Sequence, residues 1–126
     1  MERAISPAPL PPANAEGLQQ ARLWAWQRMS AMVLAVCVLV HIVVMVIAVR
    51  GGLSAAEILG RTRGSLAFGA FYTVFVLACV AHVPIGLSNI AQEWWGFSPQ
   101  AARRGALLFA FLLLVLGLAA VAGVVA

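Results

Sequence analysis

Charge is what this chain has least of. Only 10% of its 126 residues are charged, against 63% hydrophobic. A soluble domain of this size needs more charge to cover its surface, and the mean hydropathy of +1.00 points the same way. Lysine is absent: all eight basic residues are arginine, spread over termini and loops, and the net charge is +4. With no basic run, nucleic-acid binding is excluded, and phospholipid headgroups are the ordinary partners for these arginines. There are two cysteines, Cys37 and Cys79, each inside an apolar stretch. Two such residues make neither a disulfide framework nor a zinc signature, and a buried lone thiol is usually just a small hydrophobe. The chain also lacks the cysteine set of an iron–sulfur cluster and any flavin-binding fingerprint.

Apolar length is what it has instead. Residues 29–49, 66–92 and 105–126 read as three spans, each long enough to cross the hydrocarbon, which takes about 20 residues. All three must be helical, because lipid cannot satisfy free backbone groups. The expected fold is all-α, three transmembrane helices forming part of a larger helix bundle. Residues 1–23 read as an irregular or interfacial segment. They hold four of the six prolines, and Asn14 is placed to cap a short interfacial helix over Glu16–Trp24. This segment does not read as a signal peptide. The stretch RGGLSAAEILGRTRGS reads as a loop broken by glycine pairs. In EWWGFSPQAARR, Trp94 and Trp95 belong at the interface, as do Trp24 and Trp26 before span one. Five arginines on the N-terminal side against three on the other favour a cytoplasmic N-terminus.

Against this background the only two histidines stand out: His41 in span one and His82 in span two. Ionisable side chains in bilayer core are costly and mark cofactors, proton routes or partners, and imidazole is a common axial ligand of haem iron. Steps of three and four place His41 on one face with Cys37, Leu34, Ser30 and Gln27. His82 shares a face with Tyr72, Phe75, Cys79, Gly86, Asn89 and Glu93. Such polar stripes belong in a bundle interior. Gly86, one turn beyond His82, leaves room for a flat macrocycle, and Pro84 between them should kink the helix or free a carbonyl. Counted from the loop ends, His41 lies about 20 Å and His82 about 15 Å from the cytoplasmic edge. Neighbouring helices of one short chain cannot easily grip one iron from opposite faces. Each histidine therefore needs a partner histidine on another helix. Zinc is disfavoured for want of a third ligand at that depth.

The same residues carry a family resemblance. Span one opens Gln27-Arg28-Met29-Ser30-Ala31, with His41 thirteen residues after the arginine. Span two holds His82-Val83-Pro84-Ile85-Gly86-Leu87, then Glu93-Trp94-Trp95-Gly96 and Pro99. This resembles the cytochrome b membrane anchors of the succinate dehydrogenase and fumarate reductase family, over roughly residues 24–104. The His-x-x-x-Gly step with an acid eleven after the histidine looks like the small anchor subunits. The first histidine looks like the C-terminal half of the larger di-haem anchors, which reads Gln-Arg-x-Thr-Gly and then a histidine at the same distance. By resemblance, His82 and His41 would be axial ligands of haem b iron, one or two haems in all, with Gly86 beside the ring. His82 would serve the haem nearer the cytoplasm and His41 the one nearer the outside. The di-haem anchors have five helices and four histidines, so the missing half must come from a second anchor subunit or a second copy of this chain.

Function follows by analogy with that family. The chain would anchor flavoprotein and iron–sulfur subunits to a bacterial inner (cytoplasmic) membrane and pass electrons between the iron–sulfur partner and quinone. Dicarboxylate chemistry would reside in the partners. Ser30, Arg28 and Glu93 lie at about the expected quinone level and are the candidate quinone-binding residues. A haem-free anchor or assembly subunit is the alternative, and a small channel or transporter component a weaker one, since no acid or base but the histidines lies within the spans.

Overall fold

The structure is a computed structural model that describes residues 15–126. Four helices follow in order: α1 (Ala15–Gly51), α2 (Ala55–Thr62), α3 (Leu66–Trp95) and α4 (Pro99–Val125). Among the described residues α1, α3 and α4 are long and apolar enough to cross a membrane. The architecture is an all-α membrane helix bundle. The helix α3 is central, packed on α1 along one side and more extensively on α4 along the other.

Small residues make these contacts. The buried positions are Ser30 and Cys37 on α1, Thr62 on α2, Ala78 and Ala91 on α3, and Ala102, Ala106 and Ala110 on α4. The last three recur every four residues, so they form one ridgeless strip on which α3 can lie close. The large side chains point outward: Leu39, Ile47, Leu108 and Leu116 are all exposed. In lipid no hydrophobic force drives helices together, so close backbone approach over small residues does that work.

Several boundaries differ from the sequence reading. The short interfacial helix is not a separate element: residues 15–23 continue directly into span one as the 37-residue α1. Nothing between Glu16 and Trp24 breaks a helix, so it propagates. The proposed cap at Asn14 and the proline-rich tail lie outside the described residues. The third span starts earlier than residue 105, because Ser98 caps α4 by accepting from the Ala101 N–H and Pro99 occupies its first turn. The helix α3 runs three residues past Gln92, to Trp95, and continues unbroken through Pro84.

The first loop also contains a helix that was read as irregular. The helix α2 is opened by a capping box: the Ser54 hydroxyl accepts from the Glu57 N–H, and the Glu57 carboxylate accepts from the Ser54 N–H at 3.0 Å and hydroxyl at 2.6 Å. These bonds, with the nearby Arg61 charge, hold the Glu57 carboxyl below the usual carboxylate range. The same short segment ties off two long helices. Arg61 Nη2 donates to the Gly51 and Gly52 carbonyls at 2.8 Å each. Thr62 Oγ1 donates to the Val124 carbonyl at 2.6 Å, and the Gly64 N–H to the Val125 carbonyl at 2.8 Å. Carbonyls at a helix C-terminus have no intrahelical donors, and here α2 and its flanks supply them for both α1 and α4.

Candidate functional site

The face of α1 that carries His41 is the face that packs. From residue 16 to the end of α1, the positions that are not exposed are Gln27, Ser30, Leu34, Cys37, His41, Val44 and Ala48. They follow the three–four spacing without exception. On α3 the stripe holds from Tyr72 through Phe75, Cys79 and His82 to Gly86, all buried or half-buried, but Asn89 and Glu93 are exposed.

The two stripes face each other, and His82 reaches α1. Its Nδ1 lies 3.1 Å from Ser30 Oγ, and its Nε2 lies 3.5 Å from Gln27 Nε2. Ser30 Oγ also donates to the Gln27 backbone carbonyl at 3.1 Å. Gly86 makes room for this arrangement: a Cβ there would come within 2.9 Å of Gln27 Nε2. Gln27 Oε1 is buried and has no hydrogen-bond partner among the described residues.

His41 has different surroundings. Tyr72 and Phe75 of α3 stand edge-on to its ring, with centroids 5.9 and 5.8 Å away. Its Nδ1 is buried and unpartnered among the described residues. It lines a cavity of about 440 Å³ together with Tyr72, Phe75 and Cys79 of α3, Leu113 of α4 and Ile58 of α2. Ser30, which touches His82, is eleven residues from His41, or about 16 Å along α1. The sequence count from the loop ends put the two histidines only a few ångströms apart in depth. It erred because Arg28 and Gln92 are not level: α1 begins at Ala15, well before Arg28, whereas α3 ends at Trp95, soon after Gln92.

The fit of a haem differs between the two. At His82 the residues present suit it: an imidazole with Nδ1 held and only a long contact on Nε2, a glycine one turn on, and an amide oxygen without a partner. At His41 the ring borders the cavity, but its Nδ1 lacks the partner that orients a ligating histidine. Among the described residues no three His, Cys or Glu side chains gather into a metal-binding group.

The three candidate quinone residues are not brought together. Ser30 is buried at the α1–α3 contact. Arg28 is on the outward side of α1, its guanidinium 4.8 Å over the Trp24 ring. Glu93 is exposed near the end of α3, eleven residues and about 16 Å beyond His82. Gln27 is the residue of consequence that was passed over; its place on the His41 stripe, one turn before Ser30, was the available signal.

No curated protein and no solved structure was found to match the chain. A family model described as the succinate dehydrogenase/fumarate reductase transmembrane subunit matches residues 12–121. That match spans all three membrane helices and both histidine stripes, and the chain belongs to this family of membrane anchor subunits.

Proposed function

We propose that the chain is a b-type cytochrome anchor of a succinate dehydrogenase- or fumarate reductase-like complex, serving electron transfer between an iron–sulfur partner and membrane quinone. In this reading His82 would hold a haem b iron through Nε2, with Gly86 one turn away. The observation that carries this is the asymmetry of the imidazole: Nδ1 is held by Ser30 at 3.1 Å, whereas Nε2 has only the 3.5 Å contact with Gln27. Haem b bound there supplies a one-electron iron couple. The chain's own residues orient the ring, wall off the bilayer and hold the partner subunits at the membrane.

The opposite axial ligand comes from a second anchor subunit or a second copy of this chain. Flavoprotein and iron–sulfur subunits dock on the side of the α1 N-terminus, a cytoplasmic side in this reading, supported by five arginines there against three on the other. Arg28 and Glu93 lie on that side and are the residues available to a quinone headgroup; Ser30 links that level to His82. His41, about 16 Å further along α1, is the ligand of a second haem in the di-haem form of this reading, supported by its separate depth and the cavity beside it.

A haem-free anchor is the competing reading, favoured by one observation: both ring nitrogens of His82 already have partners on α1. A reduced-minus-oxidised spectrum with pyridine haemochrome quantitation, on the complex purified through this chain, separates them. At least one haem b per anchor assembly is expected. None reduces the chain to a haem-free anchor.

A further inference from the structure

The hydrogen bonds around His82 fix where its proton sits. Ser30 has one hydroxyl proton, and the Gln27 backbone carbonyl at 3.1 Å can only accept. With that proton donated to the carbonyl, Ser30 Oγ meets His82 Nδ1 as an acceptor, and the 3.1 Å contact is donated by Nδ1–H. A neutral imidazole with that proton has a bare lone pair on Nε2. The Gln27 carboxamide must then present its NH2 to Nε2, which turns its oxygen away. The buried, unpartnered Gln27 Oε1 is the expected remainder.

We propose that Ser30 is a positioning residue that locks His82 in the Nδ1–H tautomer, with Gln27 a displaceable cover on Nε2. This rests on the haem reading of His82. Nε2 is the atom that must be unprotonated to bind iron, and metal-ligating histidines characteristically donate their other N–H to an oxygen that fixes the ring and raises its basicity. Ser30 is itself pinned, being buried and bonded back to its own helix. The Gln27 contact is at the long limit of a hydrogen bond, and its amide occupies the space that Gly86 leaves open. Leaving Nε2 thus costs this side chain little. A hydroxyl that looked like a quinone donor acts on the histidine instead, and its only proton is already committed.

The test uses the assembled complex carrying Ser30→Ala, Ser30→Thr or Gln27→Leu, read by haemochrome content and by the midpoint potential of the b haem. Ser30→Ala should retain haem and shift the midpoint upward, because a less basic imidazole stabilises ferric iron less. Ser30→Thr, which keeps a hydroxyl, should return the potential to the unsubstituted value. Gln27→Leu should retain haem. Haem loss in Ser30→Ala with retention in Ser30→Thr also supports the lock. An unmoved potential in Ser30→Ala overturns it, as does haem loss from both serine variants, or a potential shift confined to Gln27→Leu. Absence of haem from the unsubstituted complex overturns the haem reading itself, an outcome distinct from all of these.

Discussion

Ser30 on α1 and His82 on α3 meet at 3.1 Å across 52 residues of sequence. The contact links the first two membrane spans, and among the described residues Ser30 is one of two buried polar residues. In an apolar surround His82 Nδ1 has no other partner, and leaving it unpaired costs about 1–3 kcal/mol. The pair therefore fixes the rotation of α1 against α3, and with it the direction in which His82 presents Nε2.

His82→Ala removes the one imidazole that has a glycine one turn away and an oriented ring. The dithionite-reduced spectrum of the variant complex should lose at least one b-type absorbance signal, while the complex still reaches the membrane. An unchanged spectrum would remove His82 as a ligand.

His41→Ala tests the di-haem form separately. Two ligands about 16 Å apart along the bundle serve different irons. The variant should lose a second haem and one step of the redox titration, leaving the His82 signal intact. If titration and spectrum stay as they were, His41 returns to a packing role against Tyr72 and Phe75, whose edge-on rings already account for its place in the interface.

Much of this was legible in the sequence, for definite reasons. The three–four spacing from Gln27 to His41 identified the packed face of α1, because in lipid the polar residues of an otherwise apolar helix collect where other helices are. The spans were legible from length. The helix α2 was not, because its glycine flanks outweighed a signal that was present: Ser54-x-x-Glu57 is a capping box written in the sequence. The level of Glu93 was misjudged for a different reason. Depth was counted from loop ends, whereas the register of α1 on α3 is set by side-chain pairs such as Ser30 with His82, which no count along one helix contains. Gln27 stands on the stripe and in the motif but was given no role in the site, because its importance comes from a neighbour 55 residues away.

Glu93→Gln should slow quinone turnover and leave haem content untouched. The residue is exposed and about 16 Å from His82 along α3, so its carboxyl reaches substrate or partner rather than the histidine. Quinone reductase assays on complexes normalised by haemochrome give the comparison. Full turnover would take Glu93 out of the quinone site.

Gly52 is held at φ 103°, and a Cβ there would collide with the Glu57 carboxylate. Gly52→Ala therefore strains the backbone and displaces the acid of the capping box together. The destabilisation should exceed the roughly 0.4–1 kcal/mol that Gly→Ala gains where the backbone is compatible. A lower thermal midpoint for the detergent-solubilised complex checks this; an unchanged midpoint would mean that α2 contributes nothing to holding the ends of α1 and α4.

The Glu57 carboxyl gives that same cap a pH dependence whose sign can be worked out. Its folded pKa is depressed, first by the Ser54 hydroxyl, then by the Ser54 N–H, with Arg61 adding charge. The unfolded group titrates near the ordinary 4.5. A group held below its unfolded value adds stability above that value and loses it as pH falls through the folded pKa. Deuterium exchange at the amides of residues 54–62 should therefore be slow relative to the intrinsic rate at neutral pH, and lose protection once the pH drops below 4.5. Glu57→Gln carries no titrating carboxyl, so its protection at this segment should be flat over that range. Exchange that shows the same acid loss in both proteins would place the sensitivity elsewhere in the complex.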